Sequence, residues 1–94
     1  MSRKIEIEKS DDQEFHVRVI EGSTQSSHRV TLTPQVLERL TDGKISAEEL
    51  LRRSFEFLLD HEPKESILSE FKLEVIGRYF PQYEREIKRH LANP

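Results

Sequence analysis

The sequence contains no cysteine. Disulfide staples, thiol nucleophiles and cysteine-held metals are excluded together, and the absence fits a reducing compartment. Long apolar runs are missing too. The densest is FEFLL at 55–59, far below the roughly 18 residues a membrane-spanning helix needs. The opening stretch MSRKIEIEKSDD lacks the apolar centre of a secretory signal. A cytoplasmic protein that does not enter membranes is therefore expected. Glycine is scarce, and Gly22, Gly43 and Gly77 stand too far apart to cradle a phosphate. No G-x-S-x-G, P-loop, G-x-G-x-x-G or H-E-x-x-H is found. The histidines lack ligand spacing: His61 has Asp60 and Glu62 beside it, but adjacent helical residues point in different directions. The expectation is a chain with no enzymatic activity, no metal and no cofactor.

What is present is polar but patterned. The 94 residues are 34% hydrophobic and 35% charged, enough for one domain over 1–94 near the lower end of what folds alone. The net charge of −3 argues against a broad nucleic-acid footprint, because counterion release needs clustered positive charge. The charge is uneven. Residues 1–70 carry ten Arg/Lys against fifteen Asp/Glu, whereas residues 71–94 carry five against three.

The N-terminal third reads as strands. Ile5 and Ile7 alternate with Lys4, Glu6 and Glu8, and Phe15, Val17 and Val19 with His16 and Arg18. SDDQ at 10–13 is turn chemistry, and GSTQSS at 22–27 reads as a loop. HRVTLT at 28–33 supplies a third strand with Val30 and Leu32 on the apolar side. The short connections predict an antiparallel meander with one buried face. Opposite charges among Lys4, Glu6, Glu8, Arg18 and Arg29 would pair across the wet face.

At Thr33-Pro34 the period becomes helical. Thr33 suits an N-cap and Pro34 a first helical residue, and Asp42-Gly43 ends the segment. A second helix starts at Ser46, with Glu49 as its capping-box partner and Ile45 and Leu50 as a staple, and runs to about Asp60. ESILSEF reads as a short helix or turn with Ile67, Leu68 and Phe71 inward. Pro81 opens a last helix in which Tyr83, Ile87 and Leu91 recur as one apolar stripe. Glu84–Lys88 and Glu86–His90 are spaced for favourable pairs along it. The fold expected is α+β: strands over 1–33, with one sheet face covered by three to four helices over 34–92. The predicted core is Val17, Val19, Val30, Leu32, Leu37, Leu40, Leu51, Phe55, Leu58, Ile67, Phe71, Ile76, Phe80, Ile87 and Leu91.

One functional surface stands out. GRYFPQYEREIKRH at 77–90 mixes aromatic and basic residues, and after the apolar stripe is subtracted Arg78, Tyr79, Gln82, Arg85 and Arg89 remain. Arginine and tyrosine concentrate binding energy at interfaces. These five residues are the expected contact surface for a protein partner of a small non-catalytic interaction module, itself a monomer or homodimer.

HRVTLTPQVLERL followed by ISAEELLRRSFEFLL also resembles the ribbon–helix–helix family of small DNA-binding regulators and antitoxins. That resemblance implies a dimer whose paired strands enter the major groove. It would aim Arg29, Thr31 and Thr33 at base edges, with the Ser46 helix start near phosphate. Two preceding strands compete to pair with the reading strand. The whole layout resembles small bacterial domains of the conserved-hypothetical kind, which implies a class and no mechanism.

Overall fold

The computed structural model describes residues 3–92. Strands β1 (Arg3–Lys9), β2 (Glu14–Glu21) and β3 (Thr24–Thr31) form the antiparallel meander, and β4 (Glu70–Lys72) adds an edge in the order β1-β2-β3-β4. Helices α1 (Pro34–Thr41), α2 (Ala47–His61), α3 (Ile76–Tyr79) and α4 (Tyr83–Ala92) follow the meander, with single 3-10 turns at Lys64–Ser66 and Leu73–Val75. The molecule is α+β, as the change of period at Thr33 predicts.

The strands are longer and the turns tighter than the composition suggests. GSTQSS is not a loop: β3 begins at Thr24, and Glu21 pairs with Thr24 across a two-residue turn. Gly22 holds that turn at a φ of 61°, the glycine-first geometry whose twist matches a hairpin. Ser and Gln carry no strand pattern of their own, so cross-strand pairing with β2 decides their conformation. Ile5 pairs with Val19, Ile7 with Val17 and Phe15 with Val30, which puts these side chains on one face. Period-two alternation sends Glu6 and Arg18 to the opposite face, where they pair at 2.6 Å. Lys4 lies 3.2 Å from Glu6 on the same side.

The first two helices start as the sequence dictates. Thr33 accepts from the Val36 amide at 3.2 Å and Ser46 from the Glu49 amide at 3.1 Å. The Glu49 carboxylate does not close the capping box on Ser46. It binds Arg53 one turn on, at 2.9 Å. Asp42 ends α1 in the left-handed region, φ 53°, with Gly43 following at 74°.

ESILSEF is neither helix nor simple turn. It contains a 3-10 turn and then β4, which runs parallel to β3 with Val30 opposite Phe71. A parallel neighbour needs a crossover, and α1 with α2 supplies it. Leu68 is not inward but 46% exposed. The returning crossover is held by polar ties. Arg29 N–H donates to the Ser69 carbonyl at 2.7 Å, and the His28 ring bonds the Leu68 carbonyl at 2.7 Å. Lys64, buried, reaches Glu65 at 2.6 Å and Glu21 at the end of β2 at 3.3 Å. The Glu65 bond holds the ammonium above the usual lysine range and the carboxyl below its own.

The core sits between the sheet and α2. Val17, Val19, Val30, Leu50, Leu51, Phe55 and Leu73 are fully buried. Leu37, Phe71, Phe80 and Leu91, placed in the core by sequence pattern, are only partly buried against it. Ile5, Phe15, Leu50, Phe57, Leu73 and Tyr83 complete it instead. Glu84 does not pair with Lys88: Arg39 of α1 takes both its oxygens at 2.8 Å, joining α1 to α4. The side chain of His90 lies outside the described residues, and with it the Glu86–His90 pair.

Candidate functional site

Pro81 governs the segment that the sequence marks as functional. It biases Phe80 to extended backbone, φ −129° and ψ 90°, and the chain turns before α4. Tyr83 N–H donates to the Phe80 carbonyl and Glu86 N–H to Gln82, both at 2.9 Å. The last helix therefore starts at Tyr83, not Pro81. Arg78, Gln82, Arg85 and Arg89 do not form one helical row. Arg78 and Tyr79 belong to α3, Gln82 to the turn, and Arg85 and Arg89 to α4. Tyr83 is fully buried while Tyr79 is 66% exposed. Arg78, Arg85 and Arg89 are exposed and make no ion pair among the described residues.

Tyr79 forms one wall of an apolar groove of about 320 Å³. Leu58 and Glu62 line it from the end of α2, Ser66, Ile67 and Leu68 from the crossover's return, and Phe71 from the sheet edge. Val75, Ile76, Tyr79 and Phe80 close the far side. Leu68 and Tyr79 are the exposed large hydrophobic residues of the described chain, and both stand on this groove. Scattered apolar residues on a surface need no explanation, but these two share one concavity.

The walls are held from behind. Phe71 stacks toward Phe55 at 6.1 Å, and Phe55 toward the His28 ring at 5.4 Å. The Phe80 ring meets Phe57 edge-on at 5.7 Å and His61 at 5.2 Å. His61 Nδ1 must donate to the Phe57 carbonyl, 2.9 Å away, because a carbonyl only accepts. Its Nε2 then carries the lone pair that faces the Gln82 amide at 3.5 Å. Gln82 thus belongs to the support of Phe80, not to an exposed row.

One charged group lines the groove. Glu62, half-buried, ends α2, and its N–H donates to the Leu58 carbonyl at 2.9 Å. Its carboxylate has no ion-pair or hydrogen-bond partner among the described residues. No pattern in the sequence marks Glu62, Leu68 or Phe71 as neighbours of Tyr79. Their proximity depends on the parallel pairing of a three-residue strand, which carries no periodic signal.

The residues implied by the ribbon–helix–helix resemblance are placed otherwise. Along Arg29–Thr31, β3 pairs with β2 on one side and β4 on the other. Thr33 is spent as the cap of α1. Arg29 is exposed, 3.9 Å from Glu70. Among the described residues no group of three or more His, Asp and Glu is gathered to hold a metal, and no helix is long and apolar enough to cross a membrane. No protein-family model, curated protein or solved structure matches the chain.

Proposed function

We propose that the chain is a small non-catalytic interaction module that takes an apolar side chain of a protein partner into the groove beside Tyr79. One observation carries this: Leu68 and Tyr79, 46% and 66% exposed, line the same concavity. A groove with an apolar floor and one charged wall residue favours desolvation of a bulky side chain over chemistry on a polar substrate. Arg78, adjacent to Tyr79 on α3, extends the contact surface beyond the groove, whereas Arg85 and Arg89 of α4 do not line it.

The ribbon–helix–helix alternative finds less support. Pairing β3 with a second copy would displace β4, and with it Phe71 from the groove. The mild basic excess of residues 71–94 does not compensate.

The test is capture of partners from cell extract, identification, and titration of the purified partner against wild type and Tyr79→Ser. A loss of about tenfold or more, with an unchanged unfolding midpoint, supports the groove. Equal affinity for both chains places the contact elsewhere.

A further inference from the structure

The one charged side chain in the groove lining is an acid, and this selects its occupant. Glu62 brings to an apolar wall a carboxylate that has no partner among the described residues. It also caps the C-terminus of the 15-residue helix α2, the end at which aligned peptide dipoles concentrate negative charge. Tyr79, Phe80 and Phe71 line the same space, and aromatic rings attract cations. Every one of these features favours positive charge, whereas the buried cation Lys64 is already occupied by Glu65 and Glu21.

We infer that the groove recognises a peptide segment carrying a bulky apolar residue with a lysine or arginine close beside it, the apolar side chain on Phe71 and Ile76 and the cation on Glu62. The inference rests on the groove being the partner-binding surface. It adds the chemistry of the partner.

The probe is a displayed library of random short peptides, panned against the immobilised full chain. Enriched peptides should pair Leu, Phe or Trp with Lys or Arg within a few residues. A synthetic copy of the leading peptide should lose about tenfold in affinity on Glu62→Gln, and panning on Glu62→Lys should shift enrichment toward Asp and Glu. Tyr79→Ser should weaken every selected peptide, basic or not. Three outcomes would count against these statements, and they are distinguishable. Apolar peptides without basic residues, insensitive to Glu62→Gln but lost on Tyr79→Ser, would overturn the cation and leave the groove standing. Peptides indifferent to Tyr79→Ser, or no enrichment at all, would overturn the groove and the inference with it. A dimer by light scattering that dissociates on Tyr79→Ser would assign the groove to a second copy of this chain instead.

Discussion

The Tyr83 hydroxyl lies 2.6 Å from Ser54 Oγ, in the buried seam between α4 and α2. Ser54 Oγ is also 2.7 Å from the Leu50 carbonyl, to which only it can donate, so the tyrosine donates to the serine. Burial pushes the Tyr83 hydroxyl well above the usual tyrosine range, so it keeps its proton at neutral pH. The two partners are not equivalent. Tyr83→Phe removes one donor and should cost about 1 kcal/mol, whereas Ser54→Ala strands a buried hydroxyl and should cost about 2 kcal/mol. Urea midpoints at constant slope measure both. The double variant should cost less than the sum, because the stranded hydroxyl is gone.

Groove function and stability should separate. Tyr79 and Leu68 are exposed, so Tyr79→Ser and Leu68→Ser should each shift unfolding by no more than about 0.5 kcal/mol. Phe55→Ala, in the buried wall behind Phe71, should cost about 3–5 kcal/mol. A large loss of stability in Tyr79→Ser would mean that the ring is part of the core.

His28 should make the protein acid-sensitive. It is 2% exposed, and burial pushes its pKa below the usual 6.5, opposed by the bond to the Leu68 carbonyl and reinforced by His16. The Leu68 carbonyl fixes Nδ1 as the donor, so Nε2 accepts from Ser26 at 2.8 Å. Above the usual value both folded and unfolded chains are neutral. As pH falls below it the unfolded chain takes the proton first, so stability declines until the native pKa is reached. The slope is at most about 1.4 kcal/mol per pH unit for one proton. Unfolding free energies of wild type and His28→Gln, compared between neutral pH and pH near 5, should show this slope in wild type alone.

The Arg39–Glu84 pair should matter little and fade with salt. Both side chains are partly solvated, 48% and 36% exposed, and such pairs contribute about 0.2–1 kcal/mol. Arg39→Ala should cost that much at low salt and less in about 1 M NaCl, where charges are screened within roughly 3 Å. Denaturation at the two salt concentrations decides it.

Gly22 should resist substitution. Its φ of 61° is strained for any residue with a Cβ, and Gly22→Ala should cost about 1–2 kcal/mol. A neutral effect would show that the hairpin turn is free to relax.

The sequence by itself determined the local choices. Thr33-Pro34 and Ser46 start helices because their side chains satisfy free amides. The alternation of Phe15, Val17 and Val19 orients a strand, and the stripe of Tyr83 and Ile87 buries a helix against α2. His28 was within reach as well, since it shares the phase of Val30, but a histidine on an apolar face carries no apolar signal. Tertiary structure decided everything that depends on distant pairing. Glu84 chose Arg39 over the nearer Lys88 because α1 lies alongside α4. Phe71 became an edge strand because the crossover through α1 and α2 brought it beside Val30. Tyr79, legible only as one member of an aromatic and basic run, was separated from Gln82, Arg85 and Arg89 by the turn at Pro81 and set beside Leu68 and Glu62. Local rules act through the backbone within a turn of chain. The groove joins α2, the crossover, β4 and α3, and only the packed molecule fixes those distances.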